Sequence, residues 1–149
     1  MLLAFFSTFG AAVVSAFVPL VNIELVLIAA SAALPRSYAI ALILAATLGQ
    51  MIGKSVMFFG GRGVKLLQRG YMKVKIDEVR DAIQRRNGAV GTMLFMSAAT
   101  GLPPFYVVSV ASGLTGIRFT QFATLGFLGR FARFSVVVLF PQLIKALID

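Results

Sequence analysis

Cysteine and histidine are both absent from the 149 residues. Without thiols there are no disulfides, no thiolate nucleophile and no sulfur-based metal or redox centre. Without imidazole the usual zinc sites and histidine-based acid–base chemistry are excluded as well. Acidic residues are scarce: 5 Asp+Glu stand against 14 Lys+Arg, for a net charge of +9. Charged residues make up 13% of the chain and apolar ones 59%, where an ordinary soluble domain has roughly 25% and 45–50%. The expectation is an integral membrane protein, not an enzyme, with no cofactor and no metal. A Ser–Lys pair is a nucleophilic arrangement that the composition still leaves open.

The basic excess is not spread as a nucleic-acid binder would spread it over a solvated surface. It sits in short islands between apolar runs, the pattern of a polytopic membrane protein, so no nucleic-acid partner is expected. Residues 1–18 are apolar, but no Lys or Arg precedes them and the run continues to Leu34. A cleaved leader has a basic start and a defined end, so these residues are expected to belong to the mature chain.

From Met1 to Leu34 the only charge is Glu24, with Pro19 near the middle. A spanning helix needs about 20 apolar residues, and the stretches on either side of Pro19 are shorter. One Pro-kinked span over residues 11–34 competes with a re-entrant hairpin over 3–34. Pro19, Asn22 and Glu24 cluster where a broken helix turns, which favours the hairpin. Residues 38–61 form the best single span, with Gly49 and Gly53 as a GxxxG pair that admits another helix closely. Lys54 follows immediately, near enough to the end for its ammonium to snorkel.

Residues 62–88 carry eight bases, Arg62, Lys65 and Arg69 first among them, against three acids. Ile76, Val79 and Ile83 recur at helical spacing, so this connector reads as a basic amphipathic helix. The positive-inside rule puts it in the cytoplasm, where it sets topology and touches anionic headgroups. Residues 89–117 are then uncharged and broken by Gly101-Leu102-Pro103-Pro104. Two adjacent prolines remove two donors and push the preceding residues out of helical geometry, so a second hairpin is expected here. The last span, 119–140, ends at Pro141 and carries Arg130 and Arg133 on one face. Charges at that depth are costly and by default face a cavity or a counter-ion.

The halves 1–61 and 89–149 share a plan: apolar arm, Pro break, short small-residue arm, then a span. Pro19 corresponds to Pro103, Ala29-Ala30 falls near Ser112-Gly113, and Gly49 falls near Gly129. A hairpin plus one span crosses a membrane an odd number of times, so the second copy must be inverted. Inverted repeats with broken helices mark secondary transporters, and the breaks point to the substrate site. The expected fold is thus an all-α integral membrane protein, two inverted repeats of hairpin plus span joined by the basic helix.

The segment GKSVMFFGGR (Gly53–Arg62) is similar to the GDxxxYxxGR signature of the DedA/VTT superfamily, also called the SNARE-associated Golgi protein family. PFYVVSVASGLTGIRFTQF (Pro104–Phe122) resembles that family's P-F-N-x-x-N-x-x-(A)-G-x-x-x-(V/I)-x-F-x-x-F stretch, and VPLVNIELVL (Val18–Leu27) its first hairpin. The resemblance implies a bacterial inner-membrane protein with two opposed re-entrant hairpins. It implies flipping of undecaprenyl phosphate or related lipids in bacteria, phospholipid scrambling in eukaryotic relatives, and proton coupling in some members. Glu24 sits where the family has its hairpin carboxylate, and Arg62 matches the Arg of the GR pair. Lys54 stands where relatives have Asp, Ala98 where they have Arg before the Pro, and Tyr106 and Ser109 where they have Asn.

Glu24 is the sole carboxylate of the apolar segments, and it either responds to protons or pairs with Lys54, Arg130 or Arg133. Arg130 and Arg133 offer guanidinium forks for a phosphate headgroup. Ser97, Thr100, Tyr106, Ser109 and Ser112 either line a path or pack helices. The expected transport residues are therefore Glu24, Lys54, Tyr106, Arg130 and Arg133, with breaks at Pro19, Asn22, Pro103 and Pro104. The leading expectation is a lipid flippase or scramblase for a polyprenyl phosphate or phospholipid, with membrane lipids as partners and a homodimer formed through small-residue stripes. A proton-coupled transporter of a small solute and a non-transporting membrane scaffold are the alternatives.

Overall fold

A computed structural model of the chain describes residues 2–18, 22–67 and 87–148, and among the described residues every regular element is a helix. In order these are α1 (Leu2–Phe17), α2 (Ile23–Ala33), a 3-10 turn (Arg36–Tyr38), α3 (Ala39–Leu67), α4 (Asn87–Thr100), α5 (Phe105–Thr115) and α6 (Phe119–Ile148). Apolar stretches long enough to cross a membrane cover Arg36–Val64 and Phe119–Phe140, of 29 and 22 residues. At 1.5 Å per residue each exceeds the roughly 30 Å hydrocarbon core. The other four helices have 16, 11, 14 and 11 residues. They reach about 16–24 Å, and none crosses alone.

The short helices form two packed pairs, α1 with α2 and α4 with α5. Local chemistry makes the breaks. Asn22 is the N-cap of α2, its side chain accepting from the Glu24 amide at 2.9 Å, and so satisfies a donor that the first turn leaves open. In the second pair Gly101 adopts φ 81° and Pro104 becomes the N-cap of α5. Gly116, left-handed at φ 76°, ends α5 with its N–H donating to the Ser112 carbonyl.

The chain divides into two compact units, one of Met1–Gly53 with Arg130–Asp149 and one of Lys54–Gly129. The division falls inside α3 and α6, so each unit takes the N-terminal part of one long helix and the C-terminal part of the other.

In the first unit Ala39, Leu42, Ile43 and Ala46 line one face of α3. They pack with Ala12 of α1, Ile23 and Leu27 of α2, and Phe134 and Val138 of α6. The GxxxG pair is used here. A Cβ on Gly49 would meet the Phe9 carbonyl oxygen at 2.5 Å and the Ala12 Cβ at 2.8 Å, and one on Gly53 would strike the Ala16 Cβ. The stripe is thus the seat of α1. A buried hydrogen bond from Gln50 Nε2 to Ser15 Oγ, 2.6 Å, ties the same two helices.

In the second unit phenylalanines from three helices meet. The Phe58 ring of α3 stacks on Phe122 of α6 at 4.8 Å, and Phe105 of α5 lies on Phe122 from 5.8 Å. Two close backbone approaches flank them: a Cβ on Gly113 would strike the Phe58 carbonyl, and one on Gly61 the Val110 carbonyl. Gly129 repeats the role of Gly49, its added Cβ meeting Ala98 Cβ at 2.6 Å and the Phe95 carbonyl at 2.8 Å.

Three expectations are corrected by the helix ends and by burial. The helix begun near residue 38 does not stop at 61; α3 continues to Leu67, so Arg62 and Lys65 stand on it and not in a separate connector. Pro141 does not end the last helix, which runs on to Ile148; a proline inside a helix removes one hydrogen bond without forbidding the flanking turns. Lys54 does not snorkel: it is 5% exposed. Pro19, Arg69 and the Ile76, Val79, Ile83 periodicity lie outside the described residues.

Candidate functional site

The charged centre of the first unit joins α2 to α6. Glu24 is the second residue of α2, and its carboxylate Oε1 accepts from Arg133 Nε and forms an ion pair with Arg133 Nη2. Each side chain keeps about a quarter of its surface, 25% for Arg133 and 27% for Glu24. The carboxylate lies in the first turn, where it complements the positive end of the helix. Arg130, one turn before Arg133 on the same face, is half-buried. Of the three counter-ions the sequence leaves open for Glu24, the ion pair is made by Arg133. Asn22 stands at the same helix start, exposed, as the cap and not as a ligand.

Such a centre has the chemistry of an anion site already holding a carboxylate. A guanidinium offers several donors in a fixed fork, and a phosphate oxygen can take the position of Glu24 Oε1. About a quarter of each side chain remains open at the pair.

The second unit has a cation of its own. Lys54 of α3 sits with Nζ 5.9 Å from the centroid of the Tyr106 ring and 3.9 Å from Met57 Sδ. Tyr106 is the second residue of α5, as Glu24 is of α2, and both helices have 11 residues. In each unit, therefore, the second residue of a short helix meets a cation on a long helix of the other sequence half. Sequence reasoning names all four residues but does not pair Tyr106 with Lys54; the equal register in the two 11-residue helices is the signal that finds it.

The hydroxyls expected along a path mostly serve the backbone. Ser109 Oγ donates to the Phe105 carbonyl at 2.6 Å, Thr100 Oγ1 to Met96 at 2.7 Å, and Ser97 Oγ to the Pro103 carbonyl at 2.5 Å. This is the helix-packing role of Ser and Thr in apolar surroundings. Ser112 and Thr115 are the two hydroxyl residues bordering a cavity of about 170 Å³, whose other walls include Met93, Leu94, Pro103 and Val107. An apolar lining of that kind takes hydrocarbon and not a headgroup. Arg62 is exposed on α3, while Pro103 and Pro104 form the break before α5. Among the described residues no group of three acidic, histidine or cysteine side chains is placed to hold a metal.

The profile of the VTT domain family matches residues 18–143, from the end of α1 through most of α6. The chain belongs to the VTT family, the DedA/SNARE-associated Golgi group. No curated protein and no solved structure matches it. The VTT family is membrane-associated, in accord with the two long apolar helices. Within the VTT chain, α2, the α4–α5 pair and both cation pairs fall inside the matched residues, while α1 precedes them.

Proposed function

We propose that this VTT protein translocates an amphiphilic anion, a polyprenyl phosphate or a phospholipid, between the leaflets of a bacterial inner membrane. The reading rests on one observation above all: Arg133 paired with Glu24, with Arg130 one turn away on an apolar helix. Two cations and one carboxylate leave a positive excess at that point, and a charge kept in such surroundings marks a pathway by default. A lipid phosphate would displace Glu24 from Arg133, while its tail stays in the surrounding hydrocarbon. Membrane lipids are thus both solvent and partner.

Helices too short to cross, each pair packed against parts of both long helices, support the further reading that α1–α2 and α4–α5 are re-entrant hairpins of two inverted repeats. Each unit combines the N-terminal part of one long helix with the C-terminal part of the other, a likeness between the two units that supports the repeat reading. The basic residues of 62–88 lie on the cytoplasmic side in this reading.

The test is leaflet exchange of fluorescent phospholipid, and separately of polyprenyl phosphate, in vesicles reconstituted with the full chain. Exchange above empty vesicles that falls to their level in Arg130→Ala and Arg133→Ala is the expected result. Wild-type vesicles no faster than empty ones, with either lipid, overturn the reading.

A further inference from the structure

We infer that Lys54 and Tyr106 form a second station, in the second unit, for a phosphate-bearing anion, with the Tyr106 ring as its displaceable cover. The inference rests on the reading of the chain as a handler of anionic lipids and adds a site to it.

Lys54 is 5% exposed, while Tyr106 is 48% exposed. A half-exposed ring thus stands 5.9 Å from a buried ammonium. The face of a phenol attracts a cation through its quadrupole, more weakly than the full charge of a phosphate oxygen does. Swinging the ring away costs little packing. The stack beneath it is made by the neighbouring Phe105 with Phe58 and Phe122, all three fully or almost fully buried.

The start of α5 points the same way. Helix α2 opens on a side-chain cap, Asn22, and holds an acid, Glu24, in its first turn. Helix α5 opens on Pro104 with no side-chain cap and no acid in its first turn. The positive end of its dipole is therefore not complemented by this helix's own side chains. Tyr106 stands in that first turn, beside a buried cation. In the first unit the equivalent position is filled by a carboxylate that an anion must displace; in the second it is filled by a neutral ring.

The ring carries its own reporter. The chain has 3 Tyr and no Trp, so the Tyr38→Phe/Tyr71→Phe double variant emits from Tyr106 alone. The full-length double variant in detergent is titrated with phosphatidic acid, with diacylglycerol, which lacks the phosphate, and with inorganic phosphate. Phosphatidic acid should change the emission to saturation, and diacylglycerol should not. A response to phosphatidic acid alone assigns the station to a lipid headgroup; an equal response to inorganic phosphate assigns it to the free ion. Adding Lys54→Met should weaken the response at least about tenfold, and Lys54→Arg should keep it. No change with either phosphate compound, or a change that persists undiminished in Lys54→Met, overturns the inference. The titration with Lys54 intact decides by itself should Lys54→Met not fold. A chain that moves lipid between leaflets without perturbing Tyr106 overturns this inference alone. One that binds phosphatidic acid at Lys54 but moves no lipid overturns only the translocator.

Discussion

Arg133 reaches Glu24 across 109 positions of sequence, directing both Nε and Nη2 to the one oxygen Oε1. The pair fastens the first turn of α2 to the middle of α6. Its partners are each about a quarter exposed, so the cost of breaking it lies between that of a surface pair and the 3–5 kcal/mol of a fully buried one. Glu24→Gln and Arg133→Gln are each expected to destabilise by about 1–3 kcal/mol. The double variant should lose less than the sum of the singles, because each single strands its partner's charge and the double strands none. Thermal unfolding of the purified chain in detergent measures this cycle. Strictly additive losses would mean that the contact contributes nothing to stability.

Glycines divide into those that seat a helix and those that do not. Gly49→Ala places a methyl 2.5 Å from the Phe9 carbonyl oxygen and 2.8 Å from Ala12 Cβ. Backbone cannot yield as a flexible side chain can, so a loss of about 1–3 kcal/mol is expected from overpacking. Gly60, on the same helix, has nothing within 4 Å of an added Cβ. Gly60→Ala should be neutral or stabilising by up to about 1 kcal/mol through helix propensity. Melting temperatures moving in the same direction for both variants would contradict the seating of α1 on Gly49.

Much of this arrangement is legible in the sequence. The 59% apolar content and the sparse charge point to the membrane, and runs too short to cross on either side of Pro19 and of Pro103-Pro104 separate short helices from long ones. Gly49 and Gly129 can be recognised as matching positions because close packing admits no side chain at either. What the chain does not reveal is which cation meets which partner. Glu24 has three candidate counter-ions on helices whose packing is decided by non-local contacts. A lone Lys near a helix end reads as snorkelling until its burial is known. Helix ends are also poorly marked here: Gly60-Gly61-Arg62 looks like a stop, yet Gly61 is retained inside α3 because Val110 of α5 lies against it.

Asn22 can be tested apart from any transport role. Its side chain accepts from the Glu24 amide at 2.9 Å while the residue itself is exposed. Asn22→Ala removes the acceptor and should destabilise by about 1 kcal/mol, whereas Asn22→Asp or Asn22→Ser should keep most of it. Hydrogen exchange at the first-turn amides of α2 reads the effect locally. Faster exchange in Asn22→Ala with near-native rates in Asn22→Ser is the expected pattern. Equal rates in all three would show that the cap does not hold the turn.

Ser97 and Ser109 are both fully buried, yet their hydroxyls do different things. Ser109 Oγ returns to the Phe105 carbonyl of its own helix, a group that already has a backbone partner in reach. Ser97 Oγ donates instead to the Pro103 carbonyl, beyond the end of α4 and inside the break. A hydrogen bond in apolar surroundings contributes about 0.6 kcal/mol on average and up to about 1.7. The bond at Ser97 is expected at the upper end, because it fixes the turn at the break. Ser97→Ala is expected to lower stability by about 1–2 kcal/mol and to raise hydrogen exchange at Phe105–Val108, the turn that follows the break. Ser109→Ala should stay within about 0.5 kcal/mol of the native chain. If the two variants prove equally costly, both losses come from the vacated volume and the Ser97–Pro103 bond does not secure the break.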